Sequence, residues 1–154
     1  MCRLITPRTA NTILSEKARA MAPPEAEHFQ NEFVCHRCGN CCRGDGFVQI
    51  TNADLERAAA YLGIGRQEFL DLYCRLEKDG AISLRDQDDP EQSCIFLTEE
   101  RGLFGCRIHG EKPTQCTGFP FTWRPKDLLD FCHGARAASG LPPKPPGGRR
   151  KMTI

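Results

Sequence analysis

The sequence predicts a small single α+β domain with short helices, a β-hairpin and a cysteine-rich metal-binding loop. Three patterns carry that expectation. Two apolar stripes recur at helical spacing, two apolar runs flank a turn-like tetrapeptide, and Cys35-x-x-Cys38-x-x-Cys41-Cys42 crowds four thiols into one short segment.

The first stripe is Leu55, Ala58, Ala59 and Leu62, one face of a helix. Thr51 is suited to cap it, Asp54 is favoured in its first turn, and Gly63 stops it. A second helix is expected from about Arg66, with Phe69, Leu72, Tyr73 and Leu76 on one face, ending by Gly80. Both stripes read as core. Phe47 to Ile50 and Ala81 to Leu84 read as short strands. Cys94 to Thr98 and Leu103 to Ile108 read as a hairpin joined through Glu99 to Gly102. Pro113 fits the first turn of a short helix carrying Cys116.

Around this core, residues 1–30 are expected as a flexible N-terminal arm, with Pro23-Pro24 and at most one short helix, Thr12 to Met21. Residues 31–138 form the expected cysteine-cluster metal-binding domain. Residues 139–154 are expected as a disordered Pro/Gly-rich basic tail. Its cations Lys144, Arg149, Arg150 and Lys151 fit either a solvated tail or contact with an acidic partner.

The chain of 154 residues has 21 Lys plus Arg against 20 Asp plus Glu, a net charge of +1. That balance gives no general attraction to nucleic acid or anionic membrane. No apolar run approaches the ~20 residues of a membrane span. The first residues show no apolar signal-peptide core, and their excess of Arg and Lys fits a frayed terminus better than a transit peptide. A cytoplasmic location is therefore expected. In a reducing compartment, the ten cysteines are better explained by metal binding than by disulfides.

A Cys-x-x-Cys step lets one tight turn aim two sulfurs at one point, as a structural zinc requires. Gly39, just after Cys38, is expected to take positive φ so that the turn's amides face the thiolates. Cys38-Gly-Asn-Cys41 repeats the step. Cys42 follows directly, and adjacent side chains diverge, so the pair suits two metals, or one metal and a packing role. A bacterial ferredoxin loop spaces its first three cysteines like Cys35, Cys38 and Cys41, but Asp45-Gly46 stands where Cys-Pro is required. An iron–sulfur cluster would need a distant fourth ligand, for which Cys94, Cys106, Cys116 and Cys132 are available.

These residues resemble the YkgJ-like cysteine-cluster family, described as zinc- or iron-chelating domains. The resemblance covers about Phe33 to Gly134. Beyond the Cys35–Cys42 run it rests on Val48-x-Ile50-Thr51-x-x-Asp54, Cys94-x-Phe96-Leu97 and Cys106-x-Ile108. It continues through Lys112-Pro113-x-x-Cys116-x-x-Phe119-Pro120 and Cys132-x-Gly134. It implies an eight-cysteine metal site of Cys35, Cys38, Cys41, Cys42, Cys94, Cys106, Cys116 and Cys132, converging in space, with Cys2 and Cys74 outside it. His133 stands where many relatives carry proline. The implied cofactor is a zinc or iron ion, with an iron–sulfur cluster as the alternative. A similar cluster in flagellin lysine methylases is associated with an iron–sulfur centre, but this short chain has no Rossmann-type glycine motif, so that activity transfers poorly.

The remaining residues have plainer readings. Cys74 reads as a core residue within a helix and Cys2 as incidental. His36, His109 and His133 neighbour candidate ligands and are expected beside the site or facing solvent. Phe119, Phe121 and Trp123 are expected to wall the site from water. Arg37 and Arg43 fit either charge compensation or solvated surface, and Asp86, Asp88 and Asp89 a simple turn. No nucleophile–base pair stands apart from the Cys/His pairs that ligation explains, which points away from an enzyme. The functional expectation is a metal-binding module whose partner is a metal ion, with room for a protein partner besides; the alternatives are an iron–sulfur redox or methylase-related component and a metal chaperone or buffer.

Overall fold

The computed structural model describes residues 23–44 and 46–144. The expected Thr12 to Met21 helix, Cys2, Asp45 and the cations Arg149, Arg150 and Lys151 lie outside these residues. Contacts divide the chain into two units after Glu32. The described part of the first unit is one helix, α1 (Pro23–Glu32), where the sequence suggested an arm. Its prolines open the first turn, where missing amides cost no intrahelical bond.

The second unit opens with the loop that carries the cysteine run, closed by a short 3₁₀ turn, Asn40–Cys42. Two helices follow, α2 (Asn52–Leu62) and α3 (Arg66–Tyr73). Two small antiparallel hairpins come next: β1 (Cys74–Leu76) with β2 (Ile82–Leu84), then β3 (Leu97–Glu100) with β4 (Leu103–Cys106). Three short helices complete it: α4 (Thr114–Gly118), α5 (Leu128–Phe131) and α6 (His133–Ala138). The class is α+β, as expected. None of the described helices is long and apolar enough to cross a membrane.

The α2 boundaries follow from local chemistry. The Thr51 hydroxyl accepts from the Asp54 amide while the Asp54 carboxylate accepts from the Thr51 amide, a reciprocal capping box. Gly63 ends the helix in the left-handed conformation, φ 70°. Leu55, Ala58 and Ala59 are buried as expected. They join Ile50, Phe69, Cys74, Leu84, Phe96 and Ile108 in one apolar core. At its centre the Phe69 and Phe96 rings stack 5.9 Å apart, with Tyr73 against both.

Two expectations fail in instructive ways. The second helical stripe does not run to Gly80: α3 stops at Tyr73, and Leu72 and Leu76 are exposed. Cys74, Arg75 and Leu76 instead pair with Leu84, Ser83 and Ile82. Pairing within this short hairpin overrides helical periodicity there. Cys74 is buried in the core, but from a strand. The expected Phe47–Ile50 strand reduces to one bridge, Gln49 to Ser83, flanked by hydrogen bonds from Ile50 N to Ile82 O and Leu84 N to Val48 O. The β3–β4 hairpin closes through Arg101-Gly102, both at positive φ, the two-residue turn that matches strand twist.

Candidate metal centre

The cysteine loop is fastened to the rest of the unit at three points. Arg37 clasps Phe104 of β4 both ways: its carbonyl accepts the Phe104 amide and its Nε donates to the Phe104 carbonyl, each at 2.9 Å. The Cys94 amide donates to the Cys42 carbonyl at 2.7 Å. Asn40 Nδ2 donates to the Phe131 carbonyl at 2.7 Å, beside Cys132. Gly39 takes the positive φ expected of it, 72°, and a Cβ there would stand 2.7 Å from the Phe104 ring. The glycine therefore serves both the turn and the approach of the loop to β4.

These contacts bring Cys41, Cys42, Cys94, Cys106 and Cys116 to the lining of one cavity of about 100 Å³. Cys132, buried at the start of α6, interacts electrostatically with Cys38 and Cys41, outside that lining. Cys35 is exposed. Cys74 lies in the apolar core and does not line the cavity. All nine cysteines among the described residues are free thiols. Among the described residues, no three His, Cys, Asp or Glu side chains already stand as a finished ligand shell.

The donors nevertheless suit a soft or borderline metal. They are sulfur-rich, and the sulfurs influence one another: Cys116 feels Cys94, Cys41 and Cys106. Backbone amides are already aimed at several of them. Cys94 accepts from the Phe96 amide, Cys106 from the Ile108 amide, and Cys132 from the Ala135 amide at 3.5 Å. Such N–H to sulfur bonds stabilise thiolate charge and orient ligands.

Without metal, burial keeps most of these thiols protonated. It pushes Cys94 and Cys132 up to about 11 and Cys116 up to about 12, and raises Cys106 as well. The Cys41–Cys42 pair behaves differently, with sulfurs 3.8 Å apart. A hydrogen bond from Cys42, helped by the Lys112 charge, brings the exposed Cys41 down to about 7. Holding that proton, together with burial, pushes Cys42 up. Lys112 lines the same cavity and lowers the pKa of Cys41, Cys106 and Cys116.

Neighbouring residues divide between expectation and correction. Phe119 and Trp123 line the cavity as an apolar wall, with ring centres 5.3 Å apart. Phe121 does not; it is exposed and packs edge-on against Phe33. Arg43 lines the cavity, pairs with Glu91 at 3.0 Å and lies over the Phe104 ring at 4.0 Å. Asp86 pairs with Arg75, and Asp89 accepts from the Glu91 and Ser93 amides, so the acidic loop is a turn. His36 and His109 are exposed and His133 is half-buried.

Two residues do more at the site than sequence reasoning gave them. Lys112 sits in a recognised motif, yet only the folded chain shows which thiols it faces. Asp54 was readable as a helix-start residue; its reach to Thr114 was not. A small α+β fold that gathers thiols around one cavity has the architecture of a metal-chelating domain. The chain belongs to the CxxCxxCC family, described as "Putative zinc- or iron-chelating domain", whose model matches residues 34–135. No solved structure matches the chain.

Proposed function

We propose that this chain is a metal-binding module that chelates zinc or iron through Cys35, Cys38, Cys41, Cys42, Cys94, Cys106, Cys116 and Cys132. The observation that carries the reading is the common cavity of Cys41, Cys42, Cys94, Cys106 and Cys116, with Lys112 beside them. Five thiols from four separated segments on one cavity are more than packing asks for, since small apolar residues would fill the same positions. Cys132, which interacts electrostatically with Cys38 and Cys41, extends the group, and the reading adds Cys38 and Cys35 from the same loop. In this reading the metal organises the fold, and the chain works in the reducing cytoplasm, where its thiols stay available.

The second reading is an iron–sulfur cluster. The sulfur count favours it, because a cluster can use donors too widely spread for one ion. Purification under anaerobic conditions, elemental analysis and an absorption spectrum separate the two. A colourless protein with about stoichiometric zinc supports the module. A brown protein containing iron and acid-labile sulfide supports the cluster. A chain recovered free of metal that binds neither zinc nor ferrous iron on titration under reducing conditions overturns both.

A further inference from the structure

Asp54 is the most deeply buried charged side chain described, only 1% exposed. Its carboxylate accepts five hydrogen bonds. Thr51 supplies its amide at 3.1 Å and its hydroxyl at 2.7 Å. Arg57 Nη2 supplies another at 2.7 Å. Thr114, sixty residues away, supplies its amide at 3.0 Å and its hydroxyl at 2.7 Å. A capping box needs only the first of these. The two Thr114 bonds serve something else.

Thr114 is the first residue of α4, and Cys116 lies two positions on, its amide bonded to the Pro113 carbonyl at 2.9 Å. A five-residue helix holds little stability of its own, so its placement must come from outside contacts. The side of α4 facing residues 47–49 is tied by Gln115, which accepts from the Gln49 amide at 2.9 Å. The N-terminal anchor is Asp54.

We propose that Asp54 is a positioning residue for the metal centre: through Thr114 it fixes the first turn of α4 and so sets where the Cys116 sulfur meets the cavity. This rests on reading Cys116 as a ligand. Groups that orient ligands from behind typically change metal affinity about ten- to one-hundred-fold when removed.

The test uses the full chain, reduced and metal-free, titrated with Co²⁺, whose thiolate charge-transfer absorption reports how many sulfurs are bound. Asp54→Asn and Thr114→Val should weaken Co²⁺ binding about ten- to one-hundred-fold and reduce the charge-transfer intensity per cobalt. Thr114→Ser, which keeps the hydroxyl, should restore both. Ser83→Ala removes a different buried hydroxyl, one bonded to Glu77 and Arg75, and should leave the spectrum unchanged even where it lowers the melting temperature. Should Asp54→Asn fail to fold, Thr114→Val and its serine rescue decide the matter, because the Thr114 amide and the Thr51 and Arg57 bonds remain. A wild-type chain that binds cobalt by thiolates, with Thr114→Val giving the same affinity and spectrum, overturns the positioning role alone. A wild-type chain showing no thiolate–cobalt absorption overturns the chelation reading together with it.

Discussion

The Thr114 hydroxyl donates to Asp54 Oδ1 at 2.7 Å, joining the start of α4 to the start of α2 across sixty residues of sequence. Burial by itself would raise the Asp54 pKa, but the bonds from Thr114, Thr51 and Arg57 outweigh it and hold the carboxyl well below the usual carboxylate range. A depressed folded-state pKa means stability that is fully present above the unfolded value of about 3.9 and is lost as pH falls below it. Asp54→Asn should therefore destabilise the protein by roughly 3 kcal/mol near neutral pH. The gap to wild type should shrink steadily on acidification below about pH 4. Urea midpoints of both proteins across that range measure it; a gap that stays constant down to pH 2 contradicts the assignment.

Cysteine replacements should separate site from core. Cys38→Ser and Cys116→Ser are expected to lose most of the bound metal. Cys74→Ser is expected to keep it all while losing roughly 1–2 kcal/mol of stability, since it puts a hydroxyl into an apolar core. Metal content by elemental analysis and thermal melts on the same samples decide this. Equal metal in Cys38→Ser and Cys74→Ser would refute the ligand assignment.

Gly134 is expected to tolerate no side chain. A Cβ there would lie 2.3 Å from the Val34 carbonyl oxygen and 3.0 Å from the Phe33 ring. A backbone oxygen cannot swing aside as a side chain would. Gly134→Ala should cost roughly 1–3 kcal/mol and weaken metal retention, because it prises the segment before Cys35 from the helix that follows Cys132. A melting temperature within one degree of wild type would show that the backbone gives way freely.

Much of the fold was legible where the information is local. Thr51, Asp54 and Gly63 announce α2 because capping involves neighbours in sequence; the hairpin was legible too, but its expected Glu99 to Gly102 connection shortens to Arg101-Gly102, with Glu99 and Glu100 in β3. The α3–β1 boundary was not legible. Leu76 keeps the helical rhythm on paper, yet its backbone pairs with Ile82; a short apolar segment of this kind fits helix and hairpin spacing alike, and periodicity does not choose between them. The helices α5 and α6 span too few residues to display a period. The site shows the same division. The cysteines themselves stand out in the sequence, but which of them share the cavity depends on how the β3–β4 hairpin meets the loop.

Stripping the metal should unfold the second unit and not merely empty its cavity. Phe96 and Ile108, 1% and 0% exposed, sit two residues beyond Cys94 and Cys106, and their amides bond those same sulfurs. Core and centre thus meet at the open end of the β3–β4 hairpin, and loosening the sulfurs frees two of the core's buried side chains. Structural metal can contribute an apparent ~10–16 kcal/mol in small systems, as much as a domain's whole net stability. After treatment with a strong chelator under reducing conditions, far-UV circular dichroism should fall and amide exchange in α2 should accelerate. An unchanged spectrum with slow exchange would mark the fold as self-sufficient.

The three fastenings of the cysteine loop also impose an order on biosynthesis. The loop's thiols leave the ribosome first, but the segments that hold them, Cys94, Phe104 and Phe131, follow tens of residues later. Until the last of these has emerged, the nascent chain displays a cluster of unpaired thiols with no scaffold around it. Closure of the centre is then a late event of high contact order, and the newly made chain is most open to metal capture, or to stray oxidation, during that interval.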